Sequence, residues 1–147
     1  MTATPDGPQQ LPHPRIAELV ARFREIGSTR VKGLPIYNPR IEVEAVGFQP
    51  FGEGWIGALI TPWFMATLIL LRDRRAVDED KIGTKGREML PCGECEFSRG
   101  GDHIVGAYKT RSIRSTMSEF ASQDTARVEA LRVLSELMSE GSPASNK

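Results

Sequence analysis

Histidine and cysteine are scarce: the 147 residues contain 2 of each. That excludes a disulfide-stapled scaffold and leaves any metal site built from one chain poor in ligands. Net charge is missing too. Lys plus Arg number 19 and Asp plus Glu number 19, so there is no surplus of cations to bind nucleic acid by counterion release. The same balance gives little colloidal repulsion, which suits a protein that works against partner surfaces. No phosphate loop is present, because Gly52-Glu-Gly54 and Gly83-Thr-Lys-Gly86 match neither the P-loop nor the dinucleotide fingerprint. Met1 to Gln10 has no basic start and no apolar core. It does not read as a secretory signal, and the expected compartment is cytoplasmic, with reduced thiols. The longest apolar run, Trp55 to Leu71, has Pro62 near its middle and falls short of the about 20 residues of a membrane helix. It reads as two buried strands joined at Thr61-Pro62, with no membrane insertion.

What is present is the patterning of one mixed domain. Apolar residues make up 39% of the chain, enough for a single core at this length. The expected organisation is a mobile arm over 1–12, one domain over 13–140 and a flexible tail over 141–147. Pro14 suits the first turn of a helix. Ile16, Leu19, Val20, Phe23 and Ile26 then form a stripe that ends at Gly27-Ser28. Ile41, Val43 and Ala45 alternate with Glu42 and Glu44 as a half-buried strand. Trp55 to Ile60 and Met65 to Leu71 follow, the latter apolar on both faces and therefore central. Arg72 to Gly86 reads as a solvated loop. Short strands are expected near Glu94 to Ser98 and from Ala107 to Ile113, with a turn at Gly100-Gly-Asp102. Ser122 is an N-cap candidate for a last helix striped by Ala126, Ala130, Leu131, Leu134, Leu137 and Met138. This order predicts an α+β fold: an antiparallel sheet of about four to five strands, with both terminal helices packed on one face.

Two local features carry chemistry. Cys92-Gly-Glu-Cys95 offers half of a tetrahedral metal site or a redox dithiol, with His103 as a third candidate ligand. No second Cys pair completes it. The negative charge of Glu94 and Glu96 beside Cys95 also opposes a nucleophilic thiolate. Two ordinary thiols are the preferred reading, with no metal and no cofactor; a metal- or redox-carrying role for Cys92 and Cys95 is the alternative. Glu42, Glu44, Glu94 and Glu96 read as the polar faces of strands. Arg111 and Arg114 suit an anion or the solvent side of the last strand equally. An enzyme acting on a small molecule would need a perturbed carboxylate such as Glu96 beside Arg111.

The second feature is Thr61-Pro62-Trp63-Phe64-Met65, a proline-shaped turn that presents two aromatics and a thioether. Aromatics and Met are enriched in interface cores. Trp63 is the best exposed anchor, and Phe64 leans toward the core. Trp63, Phe64, Met65, Tyr108, Met117 and Phe120 are the candidate partner-binding residues.

Several motifs together resemble the HybE/HupJ/HoxT family of nickel–iron hydrogenase assembly proteins. They are Asn38-Pro39, Val43 to Phe48, Trp55-Ile-Gly, Thr61 to Met65, Leu90-Pro-Cys-Gly-Glu94 with Glu96-Phe97, Tyr108, Ser115-Thr-Met117 and Glu119-Phe-Ala. They run in the family order from about residue 15 to residue 139. The resemblance implies a non-catalytic maturation factor, a chaperone that binds an immature hydrogenase subunit and protects it, with oxygen as the proposed threat. The implied partner is the iron–sulfur small subunit precursor, the large subunit, or both. Some relatives are tied to a rubredoxin, so a rubredoxin-like accessory protein is a further implied partner. This chain, with 2 Cys, cannot build the four-Cys rubredoxin centre by itself.

Overall fold

A computed structural model describes residues 13–73 and 76–140. The expected arm over 1–12 and tail over 141–147 lie outside the described residues. Helix α1 (Pro14–Ile26) leads into six strands: β1 (Glu44–Phe51), β2 (Gly54–Ile60), β3 (Met65–Leu71), β4 (Lys85–Leu90), β5 (Gly93–Asp102) and β6 (Gly106–Arg114). Helix α2 (Gln123–Leu137) follows. The strands form one sheet in the order β1-β2-β3-β6-β5-β4, and every neighbouring pair is antiparallel.

The fold is α+β, as expected, but it has six strands rather than four to five. The additional strand is β4. Its side chains alternate between exposed Lys85, Arg87 and Met89 and the more covered Gly86, Glu88 and Leu90. On an edge, one side of a strand meets water, so its sequence reads like a charged loop.

The helices do not share a face. Trp55, Leu59, Leu68 and Leu70 pack against Ile16, Leu19 and Phe23 of α1. Ala58, Ile60 and Met65 pack against Ala126 and Ala130 of α2, while Ile56 and Ile69 meet Leu134 and Leu137. Side chains alternate across a strand, so these sets point to opposite sides. Strands β2 and β3 are buried on both faces because each face has its own helix.

The α-helix ends at Gly27, as expected, but not by a left-handed glycine cap. The Gly27 backbone stays right-handed, and a π-helical turn, Gly27–Val31, carries the chain onward. At the other helix Ser122 is the N-cap, accepting from the Thr125 amide.

Two arginines fasten α1 to the sheet. Arg15 donates to the Leu71 carbonyl at 3.0 and 3.2 Å and to the Val105 carbonyl at 2.8 Å. Arg22 meets the Asp102 carboxylate at 2.7 Å. Asp102 closes the β5–β6 turn by accepting from the Ile104 and Val105 amides. Burial opposes its ionisation, but those amides and the Arg22 guanidinium outweigh it and hold the carboxyl below its usual range. A carboxyl whose folded pKa is lowered adds stability above its unfolded value of about 4 and loses it as pH falls through the lower folded value. Urea midpoints measured from about pH 6 down to about pH 2 should therefore fall less steeply for Asp102→Asn than for the wild type.

Buried Asn38 joins the loops at one end of the sheet. Its side-chain amide donates to the Met117 carbonyl at 2.8 Å and the Phe120 carbonyl at 2.9 Å. Its oxygen accepts from the Arg40 amide, and its own amide donates to the Pro62 carbonyl at 2.9 Å. Asn38→Ala removes two buried hydrogen bonds and leaves the Phe120 carbonyl without its side-chain donor, while the Met117 carbonyl keeps the Phe120 amide; urea unfolding should show a loss on the order of 3 kcal/mol.

Candidate functional site

The connection from β2 to β3 is built around Thr61. Its hydroxyl oxygen accepts from the Trp63 amide at 3.2 Å and the Phe64 amide at 2.9 Å, and its own amide donates to the Phe64 carbonyl at 2.9 Å. This holds the Thr61-Pro62-Trp63-Phe64 turn in one shape. The turn leans its rings over α1. A Cβ on Gly27 would lie 2.9 Å from the Trp63 ring, so glycine lets the chain pass beneath the ring where it now rests.

Four rings meet there. Trp63 and Phe64 are 5.6 Å apart, edge to face. Phe23 lies 5.8 Å from Phe64, 6.5 Å from Trp63 and 6.1 Å from Tyr108. These spacings fall within the range of favourable aromatic pairs. Tyr108 reaches across β5, where a Cβ on its cross-strand neighbour Gly100 would lie 2.8 Å from its ring. Burial pushes the Tyr108 phenol up to about 12, with the charge of Asp102 adding and that of Arg22 opposing. It is therefore a neutral aromatic at physiological pH, suited to packing and hydrogen bonding rather than proton transfer.

These rings wall one side of an open groove of about 770 Å³. Its floor is the α1 side of β6 and β5, including Gly100, Ser98 and Thr110. The register explains why this face is open. Leu68 pairs across to Thr110, Thr110 to Ser98 and Ser98 to Lys85, so one row of side chains passes from the α1 core to polar, partly exposed residues. Helix α1 covers the β2–β3 part of the row and stops short of β5 and β4. Ile36, 53% exposed, stands on the rim.

The structure gathers Trp63, Phe64 and Tyr108 at this groove. Trp63 and Phe64 are half-buried there, so each has surface left to offer. Met65 is among the residues around the groove, but its side chain is covered, and Met117 and Phe120 lie outside the groove. Met65 and Met117 are 0% exposed and Phe120 is 6% exposed, all packed with Ala126 and Ala130 under α2. Strand alternation sends Met65 to the face opposite the groove, and Met117 and Phe120 close the turn that Asn38 holds. They support the fold and cannot touch a partner while it is intact.

Phe23, Gly27 and Gly100 shape the groove without having been singled out. A glycine inside a strand is the signal that would have flagged Gly100, since it marks close approach. Nothing local in the sequence ties Gly27 to Trp63.

The cysteines and His103 do not converge. The Cys92 and Cys95 sulfurs are 3.9 Å apart at the β4–β5 hairpin, whereas His103 is exposed beyond the far end of β5. Among the described residues no group of three or more His, Cys, Asp or Glu is placed to hold a metal ion. Glu96 and Arg111 both line the groove, and Arg111 donates to the backbone oxygen of Glu96 rather than to its carboxylate. Among the described residues no helix is long and apolar enough to cross a membrane.

Comparison with known proteins gives a consistent picture. The family model described as NiFe-hydrogenase assembly, chaperone, HybE matches residues 14–147. The hydrogenase expression/formation protein HupJ of Bradyrhizobium diazoefficiens is 38% identical over 120 residues, 82% of this chain and 69% of that protein. The hydrogenase expression/formation protein HupT of Azotobacter chroococcum is 36% identical over 84% of this chain and 81% of its own length. The probable rubredoxin HupJ of Rhodobacter capsulatus is 35% identical, with only 44% of its length matched. The solution structure of HybE from Escherichia coli superposes with a TM-score of 0.64 at 24% identity, over 84% of this chain and 76% of that one, which shows a shared fold.

The Gly27–Trp63 contact can be tested directly. Gly27→Ala gains up to about 1 kcal/mol of helix propensity but forces the Trp63 ring to move. In 15N NMR spectra the Trp63 indole resonance should shift while that of Trp55 stays in place, with global stability changed by no more than about 1 kcal/mol.

Proposed function

Starting from the fact that the chain belongs to the nickel–iron hydrogenase assembly chaperone family of HybE, we propose that the aromatic groove is where it holds an immature hydrogenase subunit. The observation that supports this reading is a sheet face left open by α1 and walled by Phe23, Trp63, Phe64 and Tyr108. Aromatic anchors contribute much of the energy of protein interfaces. A half-exposed Trp whose backbone is pinned by Thr61 and Asn38 loses little conformational freedom when a partner binds.

The role is non-catalytic and cytoplasmic in this reading. The neutral phenol of Tyr108 and the Ser and Thr residues of the floor offer hydrogen bonds, and the rings offer apolar area. That mixture suits a polypeptide segment with a few large apolar side chains. The partner is the iron–sulfur small subunit precursor, the large subunit, or both in turn. The rubredoxin in the name of one relative makes a rubredoxin-like accessory protein a further candidate partner.

Trp63→Ala should weaken binding of purified hydrogenase subunit precursor by on the order of 2 kcal/mol, about thirtyfold in Kd. Titration calorimetry with each subunit separately would show which one responds. Equal affinity of variant and wild type for both subunits would remove the groove from the interface.

A further inference from the structure

The hairpin joining β4 to β5 carries a second feature, on the opposite side of the sheet from the groove. Leu90 pairs with Gly93, so Pro91 and Cys92 form a two-residue turn and Cys95 lies just inside β5. Both thiols are free and partly buried, and they pack against the cluster containing Leu134 and Leu137 of α2. Their sulfurs are 3.9 Å apart, in van der Waals contact, and among the described residues no third His, Cys, Asp or Glu joins them in a metal-binding group. Gly93 between them has a φ of 130°, and a Cβ there would have nothing within 4 Å. The turn therefore has room to adjust. The Cys92 amide donates to the Leu137 carbonyl at 3.1 Å, so this turn also caps the last turn of α2.

We propose that Cys92 and Cys95 are a two-electron dithiol–disulfide site, closed by a low-molecular-weight disulfide of the glutathione class. A disulfide requires the sulfurs to approach to about 2 Å, and the closure draws on rotation of the two side chains and adjustment at Gly93, the first residue of β5. Two exchange steps achieve closure. The Cys92 thiolate attacks the small disulfide, breaking its S–S bond and releasing one small thiol, which leaves Cys92 as a mixed disulfide. The Cys95 thiolate then attacks the Cys92 sulfur, forming the internal bond and releasing the second small thiol. The two protons lost by the cysteines end on the two released thiols. The cysteine pair is oxidised by two electrons and the small disulfide is reduced by two.

The order of attack follows from position. Cys92 is on the turn, while Cys95 lies within a strand, where burial first and its contact with Cys92 second push its thiol up, with the charge of Arg111 opposing. A thiol held protonated is a poor first nucleophile but resolves a mixed disulfide fixed beside it. The site does not depend on the groove being the partner surface, since the sheet lies between them.

The test is an equilibrium titration of the full chain in mixtures of reduced and oxidised glutathione. Samples are quenched with acid, alkylated and weighed intact. Free thiols should disappear two at a time in a monomer that carries no glutathione. Cys95→Ser should retain one glutathione, on Cys92. Cys92→Ser should react several times more slowly than Cys95→Ser. Thiols that remain fully alkylated in oxidised glutathione, or that are lost only as glutathione adducts or cross-linked dimers, would overturn the proposal.

Discussion

The side-chain amide of Asn38 holds together segments that have no regular structure of their own. Its nitrogen bonds the turn at Met117 and Phe120, its backbone amide bonds the turn carrying Trp63, and its oxygen orders the approach to β1. Buried loop carbonyls need donors, and where no strand neighbour is available one amide serves them. Hydrophobic burial cannot do this, because it is non-directional and would leave the Trp63 turn free to tilt. The direction in which Trp63 points is thus set by hydrogen bonding, while the depth at which it rests is set by the missing side chain of Gly27.

From that fixed turn the rest of the groove follows. Thr61 clamps the turn from inside, Phe23 supports Phe64 from α1, and Tyr108 reaches over Gly100 from β6. Arg15 and Arg22 keep α1 in register with the sheet, so the helix ends its coverage at the same strand each time. Among the described residues, the open face is the part of a two-sided sheet that receives only one cover. On its other side α2 packs across to Leu90 and Phe97, so β4 and β5 are supported from below while their upper surface remains accessible. A small chain thereby combines a rigid platform with an open groove.

The strongest periodic signals were legible in the residues. The start of α1 at Pro14, the Ser122 cap and the limits of β3 follow from proline geometry, capping chemistry and an apolar run. Strand β4 was hidden because Lys85, Arg87 and Met89 face water and Gly83 and Gly86 mimic loop punctuation. The apolar character of β3 on both faces called for two covers; the order of elements alone does not say that the helices divide between them. At the site, Trp63, Phe64 and Tyr108 were legible as large rings beside turn or strand signals. Met65, Met117 and Phe120 look the same in sequence but are core, because pleat direction and loop closure are tertiary facts. The approach of α1 to the Trp63 turn is a contact between distant segments, and no local pattern encodes it.

The most direct test of the account is a map of the surface that a hydrogenase subunit precursor covers. Adding unlabelled precursor to 15N-labelled chain should perturb the Trp63 indole and the amides of Phe64, Ser98, Gly100 and Tyr108, leaving exposed Val128 and Leu131 of α2 unchanged. Perturbations confined to α2, with the groove resonances unmoved under saturating precursor, would contradict it.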